Sequence, residues 1–174
     1  EFPIQYTADQ IPLPPNFLPY HAWDNGEMTV RDEQLLPWPR TQGRVRALLA
    51  EYYRYISYLD SQIGRVLDAL EASPHAKNTI VALFADHGYH LGEHEFWQKS
   101  NLHEEVLRVP LIVSAPGFEA GRTESIVELV DLFPTLSELA GIDVPDGLDG
   151  ISLVPVMKDH GAEVKDSALS FNKG

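Results

Sequence analysis

Residues 78–88 read NTIVALFADHG, and this stretch decides the fold. Its apolar part, residues 78–85, shows no polar alternation, which is typical of a strand buried on both faces of a sheet. The polar residues Asp86 and His87 follow directly, and Gly88 allows the backbone to turn sharply. In layered α/β sheets, ligands bind beyond the carboxyl ends of the strands. The sequence therefore predicts a functional site at Asp86 and His87.

A long amphipathic helix is predicted before this strand. Apolar residues recur at steps of three and four from Val45 to Leu70 and form one continuous stripe. Pro74 marks the end of the helix. About 30 helical residues span roughly 45 Å, which is long enough to back a whole sheet.

Further elements are predicted after the strand. Residues 109–115 read VPLIVSA and predict a second strand, with Pro110 among its first residues or on an edge. Residues 126–130 predict a third strand. The remaining predictions are a helix capped by Asp131 that runs to about Ala140 and stops at Gly141, and a short helical turn over residues 152–157. Alternating strands and helices predict a layered α/β fold.

The charge balance excludes some classes of partner. Lys and Arg together number 13 against 26 for Asp and Glu, a formal net charge of -13. Nucleic acid binding needs clustered Lys and Arg, so we expect no nucleic acid partner. An anionic substrate is still compatible, because one bound cation and one lysine reverse the local potential. The chain has no cysteine, and no stretch approaches the roughly 18 apolar residues of a membrane span.

Asp86 and His87 offer one hard oxygen ligand and one nitrogen ligand. Such a pair suits several divalent ions, and oxygen-rich neighbours would favour Ca²⁺ or Mg²⁺ over Zn²⁺. Alternatively, Asp86 caps the turn and His87 packs as an ordinary polar residue.

Three further histidines allow another interpretation, a zinc cluster of His90, His94 and His103. It is disfavoured because carboxylates dominate the expected ligands and no regular helical spacing supports it. Lys99, taken alone, is typical of a solvated surface lysine.

Residues 86–99 read DHGYHLGEHEFWQK and resemble the second metal-binding segment of type I sulfatases. The similarity covers roughly residues 45–157 and is closest to iduronate-2-sulfatase-like members, because His87 stands where others carry Asn. Three further stretches resemble that family in the correct order: YLDSQIGR at 58–65, RVPLIVSAPG at 108–117 and VDLFPTLSELAGI at 130–142.

The resemblance implies an α/β/α layered sandwich of the alkaline phosphatase superfamily and the activity of a sulfuric ester hydrolase. It implies that Asp86 and His87 bind Ca²⁺, or Mg²⁺ in some members, and that Lys99 contacts the sulfate. In the family, a formylglycine made from Cys or Ser attacks sulfur as a hydrated aldehyde, while the cation and lysine neutralise the sulfate oxygens. Tyr89 and His90 follow the metal ligands and are expected either at the rim of the sulfate pocket or in packing roles.

The resemblance also implies a substrate and a location. The expected substrate is a sulfated small molecule or glycan. Family members act outside the cytosol, which favours a periplasmic, secreted or lysosomal protein.

The chain departs from the family in one respect. The nucleophile motif, Cys or Ser followed by x-Pro-x-Arg, and the paired aspartates of the first strand are absent from its 174 residues. We therefore expect a fragment whose partner is the remainder of the sulfatase chain, and which alone is inactive and binds Ca²⁺ weakly or not at all. Its expected divisions are a proline-rich extended segment (1–40), the central part of the catalytic domain (41–160) and a tail leading to a missing C-terminal subdomain (161–174).

Two other functions stay open. One is a metal-dependent phosphodiesterase or phosphonate hydrolase of the same superfamily, which also carries Asp-His-Gly at a strand end. Residues 97–99 and 108–110 favour the sulfatase. The other is a non-catalytic α/β binding domain, which the acidic surface and the proline-rich arm fit loosely.

Overall fold

The computed structural model describes residues 6–18 and 26–171, which fall into two compact units. The first unit holds the described residues up to Ser73 together with His87–Arg108. The second holds Pro74–Asp86 and Val109–Phe171. None of the described helices combines the length and the apolar character of a membrane-spanning segment.

The first unit is built on three helices, α1 (Arg31–Leu35), α2 (Gln42–Glu71) and α3 (Glu104–Leu107). The predicted long helix is confirmed as α2, which has 30 residues. It begins where the Thr41 side chain accepts a hydrogen bond from the Arg44 N–H at 3.4 Å. It ends at Glu71, shortly before Pro74.

The apolar stripe of α2 is packed mainly near its N-terminal end. Val45, Leu49 and Ala50 are buried there and form a core cluster with Ile11. Farther along the helix, five large side chains of the stripe are exposed: Tyr52, Ile56, Leu59, Val66 and Leu67. Periodicity therefore predicted the helix correctly, but the described residues of this unit cover only part of its apolar face.

The proline-rich part of the first unit is mostly irregular where it is described. It contains short 3-10 turns at Ala8–Gln10 and Glu27–Thr29 besides α1. The division of the chain at residues 40 and 160 stays a prediction.

The second unit contains a two-stranded antiparallel sheet. β1 (Val81–Phe84) pairs with β2 (Leu111–Ser114), with Val81 opposite Ser114. Both predicted strands are confirmed, although each is shorter than its apolar run. Pro110 lies just before β2, and its carbonyl accepts a hydrogen bond from the Ala85 N–H at 3.3 Å.

The expectation that β1 is buried on both faces is wrong for this chain. Leu83 and Phe84 are 39% and 49% exposed, and Ile112 on β2 is 59% exposed. Within the described residues the sheet has only two strands, and a pair of strands cannot cover both of its own faces.

The predicted third strand at residues 126–130 is also wrong. Glu128 instead caps a 3-10 turn, Leu129–Asp131, and the Asp131 carboxylate accepts a hydrogen bond from the Glu128 N–H at 2.8 Å. Local side-chain bonds of this kind compete with strand pairing for the backbone donors.

The two predicted helical segments of this unit are confirmed as α4 (Leu132–Leu139) and α5 (Val154–Lys158). Gly141 has a left-handed φ of 69° just after α4, as a helix stop requires. Asp131 stands at the predicted N-cap, but its side chain does not cap α4. The carboxylate accepts from the Ile151 N–H at 2.9 Å and from Lys165 Nζ at 2.8 Å.

Candidate functional site

The backbone after Asp86 is fixed by Gly88. Its N–H donates to the Val106 carbonyl at 2.7 Å. A Cβ at this position would overlap the carbonyl oxygen of Glu105, so only glycine allows the two backbone segments to lie this close. This contact ties the start of the candidate segment to α3 and thereby positions His87.

The structure brings His87 and Lys99 together. Lys99 Nζ lies 2.9 Å from His87 Nε2, and His87 Nδ1 lies 2.9 Å from the Gly88 carbonyl oxygen. An ammonium group only donates, so Nε2 accepts its hydrogen bond and Nδ1 carries the proton that the carbonyl receives. His87 therefore holds a lone pair at Nε2 toward a positive group.

Asp86 is the third predicted site residue, and its side chain is exposed. It follows β1 as the last residue before His87 and is assigned to the second unit, whereas His87 and Lys99 belong to the first.

The donors at these positions fit a divalent cation. The His87 Nε2 lone pair accepts from Lys99 in this structure and would bind an ion in place of that hydrogen bond, and an exposed carboxylate is the neighbour of His87 in sequence. Imidazole nitrogen and carboxylate oxygen are ligands of several divalent ions. Two ligands are fewer than the six to eight oxygens typical of Ca²⁺, so the donor set alone does not select the metal.

Tyr89 and His90, the two residues expected at the rim or in packing roles, are both bonded internally. The Tyr89 hydroxyl donates to the Trp97 carbonyl at 3.1 Å, and burial, with the carboxylates of Asp32 and Glu33, raises the pKa of Tyr89 to about 12. His90 is 0% exposed, and burial lowers the pKa of its imidazole. Complete burial of His90 favours the packing alternative for that residue.

A buried ion pair that sequence reasoning missed supports the segment leading to Lys99, residues 88–99. The Arg40 guanidinium pairs with the Glu33 carboxylate, and both side chains are almost fully buried. Arg40 also donates to the Glu95 carbonyl at 2.5 Å, while Glu33 accepts from the Trp97 N–H at 2.8 Å. No sequence signal distinguishes these two residues from ordinary surface charges, because their burial depends on contacts more than 50 residues away.

The turn between Leu91 and Phe96 contains strained backbone. His94 and Glu95 have left-handed φ values of 51° and 71°, a conformation that costs a non-glycine residue about 1–2 kcal/mol. The Arg40 bond to the Glu95 carbonyl and a 3.1 Å contact between His94 Nε2 and Glu105 Oε1 hold this turn in place. The segment leading to Lys99 is thus fixed by tertiary contacts rather than by regular secondary structure.

A family model and individual relatives both match this chain to the same protein family. The sulfatase family model matches residues 7–142. The mouse iduronate 2-sulfatase is 35% identical over 187 residues, which cover 83% of this chain and 33% of that protein. The chain spans about a third of the length of the first curated relatives it matches.

Solved structures agree in fold. The phosphonate monoester hydrolase of Silicibacter pomeroyi is 31% identical with a TM-score of 0.68, over 74% of this chain and 25% of that protein. A structure described as in complex with its substrate D-glucosamine-2-N,6-O-disulfate is 36% identical with a TM-score of 0.60, over 71% of this chain and 24% of that protein.

These likenesses confirm the predicted fold, an α/β architecture of the alkaline phosphatase and sulfatase type in which this chain holds an incomplete sheet of two strands. They also agree with the predicted similarity to iduronate 2-sulfatase. Because the family model matches well over half of its residues, this chain belongs to the sulfatase family.

Proposed function

We propose that this chain forms part of the active site of a sulfuric ester hydrolase, in which Asp86 and His87 bind a divalent cation and Lys99 contacts the sulfate. Family membership supports the reaction class. The observation that carries the residue assignment is the 2.9 Å contact between Lys99 Nζ and His87 Nε2. The two groups therefore lie side by side, and a metal at Nε2 would replace this hydrogen bond while Lys99 turns to the sulfate.

The residues of this chain would act on the sulfate by charge and position. A cation held by Asp86 and His87 would supply positive charge to the sulfate oxygens as the ester bond breaks. Lys99 would add a second positive group, and preorganised charge of this kind lowers the barrier because it needs no rearrangement during the reaction. The His87 Nδ1–H bond to the Gly88 carbonyl orients the ring so that Nε2 faces the site. The same proposal takes Ca²⁺ as the bound cation and a formylglycine outside these residues as the nucleophile.

The printed names of two relatives support a substrate class. One matching relative is named for iduronate 2-sulfate, and one similar structure is described with a sulfated glucosamine as its substrate. We therefore favour a sulfated sugar or glycan, hydrolysed outside the cytosol.

A phosphonate monoester hydrolase is the second candidate, because a protein of that name is among the similar structures. The two candidates differ in their expected substrate preference. In the full-length enzyme, an aryl sulfate should be hydrolysed with a higher kcat/KM than an aryl phosphonate monoester or a phosphate diester. The reverse order would favour the second candidate.

Substitution of Lys99 tests the site itself. Lys99→Ala in the full-length enzyme should lower kcat/KM for an aryl sulfate by about a hundredfold to a thousandfold, the usual effect of removing one preorganised charge-stabilising group. Lys77→Ala, at an exposed lysine in the second unit, is the matched control and should leave the rate unchanged. Equal rates for the Lys99 and Lys77 variants would contradict the assignment.

A further inference from the structure

A second group of metal-ligating side chains lies in the first unit. His90, His103 and Glu105 each offer one ligand atom, and these atoms all lie within 4.8 Å of one another. The His90 and His103 ring centroids are 5.3 Å apart. A zinc cluster of His90, His94 and His103 was one interpretation of the sequence, but their irregular spacing disfavoured it, and Glu105 was not among the candidates. The group arises because the loop from residue 88 folds back on α3 through the bond from Gly88 to Val106.

The decisive member of the group is His90. Its side chain is completely buried, and its Nε2 lies 3.2 Å from Asn101 Oδ1. Because an amide oxygen only accepts, Nε2 carries the proton and Nδ1 is left with a lone pair. Nδ1 is buried and has no hydrogen-bond partner among the described residues. A metal-binding histidine has this arrangement, in which the second ring nitrogen donates to a neighbouring oxygen and fixes the ring.

Ion pairs explain the positions of Glu105 and His103 in this group, but not that of His90. Glu105 Oε1 lies 3.1 Å from His94 Nε2, and His103 Nε2 lies 3.6 Å from Glu27 Oε1. These contacts account for the positions of the partly exposed side chains. They leave Nδ1 of His90 buried without a partner, which costs free energy unless a donor or a metal ion meets it.

We propose that His90, His103 and Glu105 form a Zn²⁺ site that is separate from the cation site at Asp86 and His87. Two imidazoles and one carboxylate are a donor set typical of zinc, whereas Ca²⁺ prefers oxygen ligands. Zinc–ligand bonds of about 2.0–2.2 Å require the three ligand atoms to approach one another. His103 and Glu105 are only partly buried, so side-chain rotation that exchanges their present ion pairs for the metal would bring their ligand atoms toward the buried His90.

The bound ion would connect two parts of the first unit. His90 lies in the segment that leads to Lys99, and Glu105 lies on α3. A metal bridge between them would stiffen the segment without contacting a substrate. His94, whose Nε2 lies 3.1 Å from Glu105 Oε1, would hold the Glu105 carboxylate from outside.

Titration of the metal-stripped chain with Zn²⁺ by calorimetry, and with Co²⁺ by visible absorption, tests the site. We expect one Zn²⁺ per chain and the visible bands of tetrahedral Co²⁺. His103→Ala and Glu105→Gln should each weaken Zn²⁺ binding by at least about tenfold. Asn101→Ala, which removes the partner of His90 and the acceptor of the His103 N–H, should weaken it by about 10–100-fold. The matched control is His75→Ala, an exposed histidine of the second unit, which should bind like the unaltered chain.

Two results would overturn the proposal: no binding of either ion by the folded chain, or binding that survives His103→Ala and Glu105→Gln. Far-UV circular dichroism of every variant separates loss of a ligand from loss of the fold. Asp86→Asn distinguishes the two sites, because Zn²⁺ binding should persist in that variant. If Asp86→Asn abolishes it, the ion belongs to the site of the proposed function and the second site does not exist.

Discussion

The segment leading to Lys99 and the β1–β2 sheet show opposite patterns of burial. Within the first unit, the segment is packed around buried polar side chains: Glu33, Arg40, His90, Gln98 and Asn101. In the second unit, the sheet exposes large apolar ones: Leu83, Phe84 and Ile112. Buried polar groups and exposed apolar patches are the informative departures from ordinary burial.

The difference teaches how each region is stabilised. The segment obtains its hydrogen bonds inside its own unit, so its conformation depends on a few specific partners. The sheet contributes an apolar surface that no described residue of its unit covers. Since the chain spans about a third of its relatives' length, we expect the remainder of a sulfatase to cover this surface.

The largest effect is expected where a buried charge loses its partner. Arg40→Ala leaves the Glu33 carboxylate buried and unpaired, and breaking such a pair typically costs about 3–5 kcal/mol of unfolding free energy. Urea unfolding of the chain measures this. Arg31→Ala is the control, because Arg31 is 83% exposed in its pair with Asp32 and should change stability by less than about 0.5 kcal/mol. Equal midpoints for the two variants would show that the buried pair is not what holds the segment.

A smaller loss is expected for the buried charges of the second unit. Lys165 donates to Glu128 at 2.7 Å and to the fully buried Asp131 at 2.8 Å. Lys165→Met removes both bonds, but Asp131 keeps its two backbone donors, so we expect a cost of about 2 kcal/mol. Lys158→Met, on the last residue of α5, is the control and should unfold at the same urea concentration as the unaltered chain.

The ion pair between Lys165 and Glu128 also predicts that the unfolding free energy depends on pH. The hydrogen bond from Lys165 and the backbone bond from Leu169 hold the pKa of Glu128 below its usual value. A depressed carboxylate pKa stabilises the folded state above the unfolded-state pKa, and this contribution is lost as the pH falls through the lower folded-state value. In Lys165→Met, the unfolding free energy measured by urea should therefore fall less steeply as the pH is lowered. An unchanged fall would argue against the pairing of Lys165 with Glu128 as its cause.

The smallest effect is expected on the open sheet. Ile112→Thr replaces a 59% exposed side chain with another β-branched one, so the unfolding free energy should change by less than about 0.5 kcal/mol. Leu49→Ala, at a residue 2% exposed in the core of the first unit, should cost about 2–5 kcal/mol in the same assay. A large loss for Ile112→Thr would mean that the sheet face is already covered within this chain.

Elements with local signals could be predicted from the sequence. The steps of three and four in α2, the apolar runs of β1 and β2, and Gly141 after α4 each act within a few residues. The prediction of a third strand at residues 126–130 failed because Glu128 and Asp131 form a local cap that an apolar run does not reveal. The prediction that β1 is buried on both faces failed because burial depends on what covers the sheet rather than on the strand itself.

The sequence by itself determined the family, the order of the main helices and the two strands, and the choice of Asp86, His87 and Lys99 as candidate site residues. Only the tertiary structure decided that Lys99 meets His87 and that Arg40 and Glu33 are buried beneath the segment. It alone also brought His90, His103 and Glu105 together. The physical reason is distance along the chain. Periodicity and capping depend on neighbouring residues, whereas these contacts form only when loop closure brings together side chains 7 to 64 residues apart.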